Sequence, residues 1–374
     1  MTFDQTSPAF DLTAGQGPYR AMLVNTSIDA DINARWARRV EACADATIFA
    51  GPVFQAAIRQ AFAPDRQARS IAVFREDELV GLLPFDELPL VVGPLRLREV
   101  GFSRNAHMLR NNLLIDLESG AVRALLSVWQ SDIRADTLLL SDIPERGRLP
   151  ELVVSTANAL GLSVDLPTPG RTLDFADLAC PYDAYLATRS GQFRRQIRKR
   201  QRELESAGTF TQKRLVGEDL RRSLPLWRAV ASRSWQGNDP AAAGGTEADW
   251  ALHRALADNG ALWIASLDDL PVAALRMLED NRATYVHTMH FDQSLRDFAP
   301  GLALFDAMMR DACNRGVPRV DFNGSSEFFA RWATGQTRHV CLRIYRPSLR
   351  GRAAQAMRSA RRGFAARTGL SQTE

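Results

Sequence analysis

Between Arg282 and Trp332 the chain changes its hydrophobic rhythm several times. Tyr285 to Phe291 alternates large apolar and polar side chains, the period-two pattern of a half-buried strand. Arg296 to Gly301 breaks that pattern. Leu302 to Asn314 then carries Leu302, Phe305, Met308, Met309 and Ala312 at three- and four-residue steps, which predicts a helix stopped by Gly316. Val317 to Phe322 returns as a short strand ending in Asp321. Polar and ionisable residues collect at these junctions, where an α/β protein places its chemistry.

The first half has the same grammar. Ser70–Arg75 and Leu79–Pro84 read as strands joined by an acidic turn, and Asn112–Asp116 and Thr137–Ser141 as further short strands. Ala121–Trp129 and Leu149–Leu160 read as helices, and Pro167, Pro169 and Gly170 as a break. The second half adds helices over Leu215–Ser232 and Glu247–Ala257, with a small-residue segment at Gly237–Gly245 between them, and strands over Leu262–Ser266, Val272–Leu278 and Ala283–Phe291. Gly260–Leu278 repeats Ser70–Phe85 as strand, acidic turn and strand, which suggests two copies of one fold.

At 374 residues there is room for two ordinary domains. No apolar run approaches the roughly 20 residues of a membrane span. The N-terminus shows neither the basic start nor the apolar stretch of a secretion signal, so the expectation is a cytoplasmic protein, with peripheral contact at the inner face of the membrane as an extension. Cys43, Cys180, Cys313 and Cys341 are scattered, which suggests neither a disulfide framework nor a metal site. The net charge of +4 is local: from Arg343 onward there are eight arginines and one acid, leaving the rest of the chain acidic. Lys199 and Lys213 are the only lysines, which makes a catalytic lysine an unpromising reading.

Three segments carry a resemblance: the basic run QFRRQIRKRQRELESAG from Gln192, the turn DFAPG from Asp297, and DFNGSSEFFARW from Asp321. Over roughly 47–345 the chain resembles the FemAB-like and cellulose-biosynthesis (BcsL-type) group of GNAT acyltransferases. The resemblance implies an α/β (α+β) fold of two tandem GNAT-like domains, each a mixed, mostly antiparallel sheet flanked by helices. The expected units are an extension with a first helix (1–46), an N-terminal GNAT-like domain (47–170), a C-terminal acyltransferase domain (171–346) and a basic tail (347–374). It also implies acyl-CoA, or an acyl carrier protein, as a co-substrate rather than a permanently bound cofactor, and an amine acceptor. Ala299, Asn323 and a missing lysine near Ala330 depart from the group's pattern, and the last weakens a reading based on a tRNA- or peptide-linked donor.

Arg296, Ala299 and Gly301, with Leu302 after them, match the spacing of a turn whose backbone N–H groups would hold the coenzyme pyrophosphate at a helix N-terminus. Pro300 removes one donor, although proline suits a first helical turn. Acylation of an amine needs a base and an oxyanion or leaving-group donor. His287 and His290 are three apart on one strand, so alternation predicts opposite faces with only one toward the cleft; His290, nearer the turn, is preferred as base. Asp321 and Glu327 are candidates to orient a histidine or bind the amine, Asp321 alternatively to cap the following turn. The basic run Arg189–Arg202 reads as a solvated face on a helix packed through Phe193, Ile197 and Leu204, with an anionic partner as the rival and no nucleic acid expected.

Along the tail, Leu349, Ala353, Met357, Ala360 and Phe364 follow helical steps among arginines, the pattern of a helix on anionic lipid over 349–367. The resulting expectation is an N-acyltransferase acting on an amine, with a lipid amine such as a sphingoid base (a ceramide-synthase-like reaction) in view. An envelope or exopolysaccharide acetyltransferase, a FemAB-like aminoacyl transferase and a non-catalytic assembly factor of the same fold are the alternatives.

Overall fold

The computed structural model describes residues 18–27, 29–235 and 245–368, with side chains as far as Arg362. Most of the small-residue segment at Gly237–Gly245 lies outside the described residues, as do the side chains of Phe364 and Arg367. The first half runs β1 (Tyr19–Asn25), α1 (Ala30–Ala42), α2 (Pro52–Phe62), β2 (Arg69–Arg75), β3 (Glu78–Val92), β4 (Leu95–Gly101), β5 (Leu114–Ile115), α3 (Ser119–Asp132), β6 (Thr137–Pro144), α4 (Leu149–Ala159), β7 (Ser163–Val164) and β8 (Thr168–Asp177). After α5 (Tyr182–Ala187) and α6 (Gly191–Ala207) the second half repeats it as β9 (Phe210–Val216), α7 (Gly217–Ser232), α8 (Glu247–Ala255), β10 (Gly260–Leu267), β11 (Leu270–Glu279), β12 (Thr284–Phe291), α9 (Pro300–Asn314), β13 (Arg319–Asp321), α10 (Glu327–Ala330) and β14 (Gly335–Tyr345). The chain closes with α11 (Leu349–Thr368).

The fourteen strands among the described residues form one sheet, twelve of them in the order β1-β2-β3-β4-β6-β14-β8-β13-β12-β11-β10-β9, with β5 paired to β3 and β7 to β14 off that path. The order is palindromic about the centre because the halves exchange their last strands: β8 pairs with β13, while β14 pairs with β6. The two central strands, β8 and β14, pair antiparallel with each other. The pairing is antiparallel apart from β4–β6 and β12–β13, which are parallel. The Pro167–Gly170 break is therefore a correction: Pro169 and Gly170 lie within β8, at the irregular register opposite Arg338–Val340. Gly170 is needed there, since a Cβ would sit 2.8 Å from Asp142 Oδ1 and 3.1 Å from the His339 carbonyl. The 1–46 segment likewise contributes β1 to the sheet, antiparallel to β2.

Apolar faces of the helices cover both sides of this sheet, as the hydrophobic effect requires. Val122, Leu125, Leu126 and Trp129 of α3 pack with Val73, Leu83 and Leu140, and Leu302, Phe305, Met308 and Met309 of α9 pack with Leu275, Met277 and Val286. Trp227, Val230 and Trp250 cover the other face of the second half against Leu262, Ile264 and Ala274. A separate cluster joins the halves, Phe49, Phe54, Ile58 and Met108 meeting Leu252, Leu256, Leu278 and Tyr285. The expected stripe of α6, Phe193, Ile197 and Leu204, is buried, while Arg195, Arg198, Lys199 and Arg202 face outward.

Helix α11 docks on the first half through Gly351, Ala354 and Met357, the last two packing with Val92, Leu97 and Tyr345. Burial opposes ionisation of Asp165, but Arg362 and Tyr345 outweigh it by hydrogen bonding and hold its carboxyl below the usual range. The apolar stripe read along the tail is thus divided: Met357 turns inward, whereas Leu349, Ala353 and Ala360 turn out. Among the described residues no helix is long and apolar enough to cross a membrane.

Candidate active site

Strands β12 and β13 are paired over only two positions, Thr284 with Val320 and Tyr285 with Asp321. Beyond them the strands part, so the β13-facing edge of β12 from Val286 to Phe291 keeps backbone groups that the sheet does not pair. Both strands run toward the same end. There β12 leads through a short 3₁₀ turn, Gln293–Phe298, into α9, and β13 leads into α10. A gap at the carboxyl ends of parallel strands, bordered by helix N-termini, is where α/β sheets receive ligands.

The proposed coenzyme turn lies at this end. Ala299 adopts a left-handed conformation (φ 51°) that reverses the chain into Pro300, the first residue of α9. Arg296 is exposed, with Asp297 3.7 Å from its guanidinium as its ion-pair partner. Gly301 and Leu302 are buried, and a Cβ on Gly301 would make ordinary contact with the Phe291 ring at 3.5 Å. The side of Gly301 therefore faces packed β12, and the turn presents its backbone together with the exposed Arg296 and Asp297 side chains outward.

The two histidines do not divide between faces. In the β11–β12 ladder Arg276 pairs with Thr288 and Met277 with Val286, leaving His287 as the extra residue of a β-bulge. The bulge resets the alternation, so His287 and His290 both turn to the side of α7 and α8. There the Trp227 indole N–H donates to His290 Nδ1 at 3.0 Å, and His287 meets the His253 ring edge-on at 5.4 Å. This corrects the expectation of opposite faces. Both are buried, His290 to 1% exposure, so neither opens on solvent.

His287 instead belongs to a chain of polar groups that spans the two halves. Asp249 Oδ1 lies 2.7 Å from His107 Nε2, and His107 Nδ1 lies 2.9 Å from His287 Nε2. The carboxylate fixes the Nε2–H tautomer of His107, making Nδ1 an acceptor, so His287 Nε2 donates to it. Asp249 is held in turn by a capping box with Thr246 at the start of α8. Burial, together with neighbouring imidazoles and the Arg276 guanidinium, pushes His253 and His287 well below the ordinary histidine range, so both rings are neutral. Neither nitrogen of His253, nor Nδ1 of His287, has a hydrogen-bond partner among the described residues. Each such buried nitrogen costs about 1–3 kcal/mol.

Asp321 has a different assignment from those read in sequence, apart from its capping role. It takes both terminal nitrogens of Arg110, with Nη1 to Oδ2 at 2.8 Å, and accepts the Asn323 N–H at 2.8 Å. Arg110 also donates through Nε to Asn323 Oδ1 at 3.1 Å and lies over the Phe49 and Tyr285 rings. Asp321 is therefore occupied in an ion pair between the halves rather than orienting a histidine. Glu327 is the accessible member of the four candidates, exposed in the first turn of α10. Tyr285 is buried, and its hydroxyl donates to Asp280 at 3.0 Å.

A groove of about 940 Å³ lies in the first half beyond the last β4–β6 pair, Gly101 with Leu139. Arg104, Arg171, Arg343, Arg358, Arg361 and Arg362 line it, opposed by Asp142 and Asp165. Arg343 is paired with buried Glu99 at 2.6 Å, and Arg362 with Asp165 at 2.8 Å. Arg171 and Arg361 are exposed at its walls. The sequence concealed this groove because β3, the loop after β4, β6, β8, β14 and α11 supply it from positions 90 to 362.

Residues 191–332 match the family profile of the acetyltransferase (GNAT) domain. The second half carries a GNAT acyltransferase domain. Among solved structures the chain is similar to FemX, with a TM-score of 0.62 at 14% identity over 87% of this chain and 97% of that one. It is also similar to the C-terminal DUF2156 domain of a protein named as a lysylphosphatidylglycerol synthetase from Agrobacterium fabrum (TM-score 0.52, 12% identity, 88% and 96% coverage). At these identities the likeness is one of fold. No curated protein matches the sequence significantly. The gap between β12 and β13, the bulge at His287 and the Arg296–Leu302 turn all lie inside the GNAT domain. His107 and Arg110, which reach the back of it, come from outside. No local spacing could have revealed them.

Proposed function

We propose that the protein is an N-acyltransferase that takes an acyl group from an acyl thioester, acyl-CoA or an acyl carrier protein, and passes it to an amine. The observation that carries this reading is the parting of β12 from β13 inside the GNAT domain, beside the N-terminus of α9. Unpaired N–H and C=O groups on the β12 edge suit the amides of a thioester's arm, and Arg296 beside the N-terminus of α9, where the Leu302 and Ala303 N–H groups already bond the Ala299 carbonyl, suits its phosphates. The amine nitrogen attacks the thioester carbonyl carbon, the C–S bond breaks, and the thiolate leaves as a thiol with one proton. The proton shed by the amine needs an accessible base. Glu327 fills that role, since Asp321 is committed to Arg110 and both strand histidines are sealed in the core.

For the acceptor, a lipid amine such as a sphingoid base is the favoured class, reached at a membrane surface. Val91, Leu166 and Leu349 are exposed at 67%, 82% and 85%. Val91 itself lines the arginine groove, and Leu166 follows Asp165 on its wall. Apolar tips beside exposed arginines suit anionic lipid. The test offers acyl-CoAs from short to long chain with sphingoid and soluble amines, following thiol release and the amide by mass spectrometry. Amide formation with long-chain amines is expected. Absence of both thiol release and a thermal shift with any acyl-CoA refutes the reading.

A further inference from the structure

We propose that His107, His253 and His287 bind a zinc ion that clamps the first half of the chain to the back of β12. The three imidazoles come from a loop after β4, from α8 and from the bulge of β12, and one nitrogen of each lies within 4.8 Å of the others. Zinc–nitrogen bonds of about 2.0–2.1 Å in a tetrahedral site set ligand nitrogens roughly 3.3 Å apart. The 2.9 Å pair of His107 and His287 has to open slightly, the His253 ring to close on it, and the His287 proton to shift from Nε2 to Nδ1, which frees the ligating lone pair.

The hydrogen bonds already present select the ligand atoms. Asp249 holds the Nε2–H of His107, which directs the Nδ1 lone pair toward His287 and His253, the carboxylate–histidine–metal arrangement. His253 is fully buried with both nitrogens lacking hydrogen-bond partners among the described residues, and a metal ion gives one of them a partner. Ligand chemistry favours zinc: three imidazoles exclude the oxygen-seeking magnesium and calcium ions, and no cysteine joins the cluster.

Aromatic rings wall the cluster in. Phe62 lies 5.5 Å from the His107 ring, Phe54 6.3 Å from that of His287 and Trp227 4.3 Å from that of His253. Three imidazoles leave the fourth zinc position to a water molecule, and the closed setting keeps substrate away from it, so the ion would hold structure. Its location matters nonetheless, because His287 is the bulged residue of the strand that parts from β13. The clamp would keep that bulge, and with it the β12 edge, in place.

The experiment uses the full-length chain with a tag free of histidine, purified from zinc-supplemented cells. Elemental analysis is expected to find about one zinc per chain, and a chelator to lower the melting temperature, with zinc but not magnesium restoring it. His253→Gln is expected to abolish the stoichiometric zinc. Should that variant fail to fold, cobalt added to the stripped wild-type chain keeps the test open, a tetrahedral visible spectrum being expected. Zinc below about a tenth of an equivalent, with melting unaffected by chelator or added zinc, overturns the proposal. The cluster is then only a hydrogen-bonded chain running from Asp249 to His287.

Discussion

Replacing Asp321 with alanine tests how the two halves are held. In the native protein the Asp321 and Arg110 side chains are 6% and 8% exposed, and the guanidinium is enclosed by the Phe49 and Tyr285 rings at 5.5 and 5.6 Å. Asp321→Ala leaves that guanidinium buried with only the Asn323 oxygen, and removes the acceptor of the Asn323 N–H. Breaking one side of a buried pair costs about 3–5 kcal/mol, most of it from the charge left behind. At roughly 2–4 °C per kcal/mol for a large domain, the melting temperature should fall by about 6–20 °C. The double variant Arg110→Met/Asp321→Leu removes both charges and should recover much of that loss. Urea unfolding of wild type, single variants and double variant gives the coupling energy directly. A single-variant loss below about 1 kcal/mol, or a double variant no more stable than Asp321→Ala, refutes the reasoning.

Arg296→Ala should weaken acyl-CoA binding about tenfold, the loss of one charge-assisted contact, while the free protein melts as before because Arg296 is exposed; calorimetric titration checks both. Glu327→Gln should lower kcat by about a hundredfold or more with little change in KM, and an unchanged kcat removes it as the base. Docking of α11 should be sensitive to acid. The folded carboxyl of Asp165 is held below its unfolded value, so its contribution is complete above about pH 4 and is lost as pH falls through the folded value. Hydrogen exchange should show α11 opening below that pH, and Asp165→Asn should open it at neutral pH; protection unchanged in both cases would contradict the role of Asp165.

Periodicity revealed the elements because each depends on contacts between near neighbours in sequence. Leu302, Phe305, Met308 and Met309 mark the buried stripe of α9, and Phe193, Ile197 and Leu204 that of α6, whatever they pack against. Strict alternation then failed at His287, since a bulge is set by the partner strand and leaves no mark in the strand itself. The same limit hid the occupation of Asp321. Its partner Arg110 lies 211 residues away, and an acid at the end of a strand has the same sequence appearance whether it awaits a substrate or an arginine.

The sequence alone determined the helices and most of the strands, the repeat of strand, acidic turn and strand, the turn at Arg296–Leu302, and the resemblance to GNAT acyltransferases. Those properties rest on local periodicity, chain reversal and residue type. The tertiary structure alone decided that β8 and β14 change places between the halves, that β12 leaves β13 after two pairs, and that His107, His253 and His287 converge. Each of these is a pairing between segments far apart in the chain. Which partner a strand edge or an imidazole meets is settled by the burial of both halves together, and no short stretch of sequence contains that information.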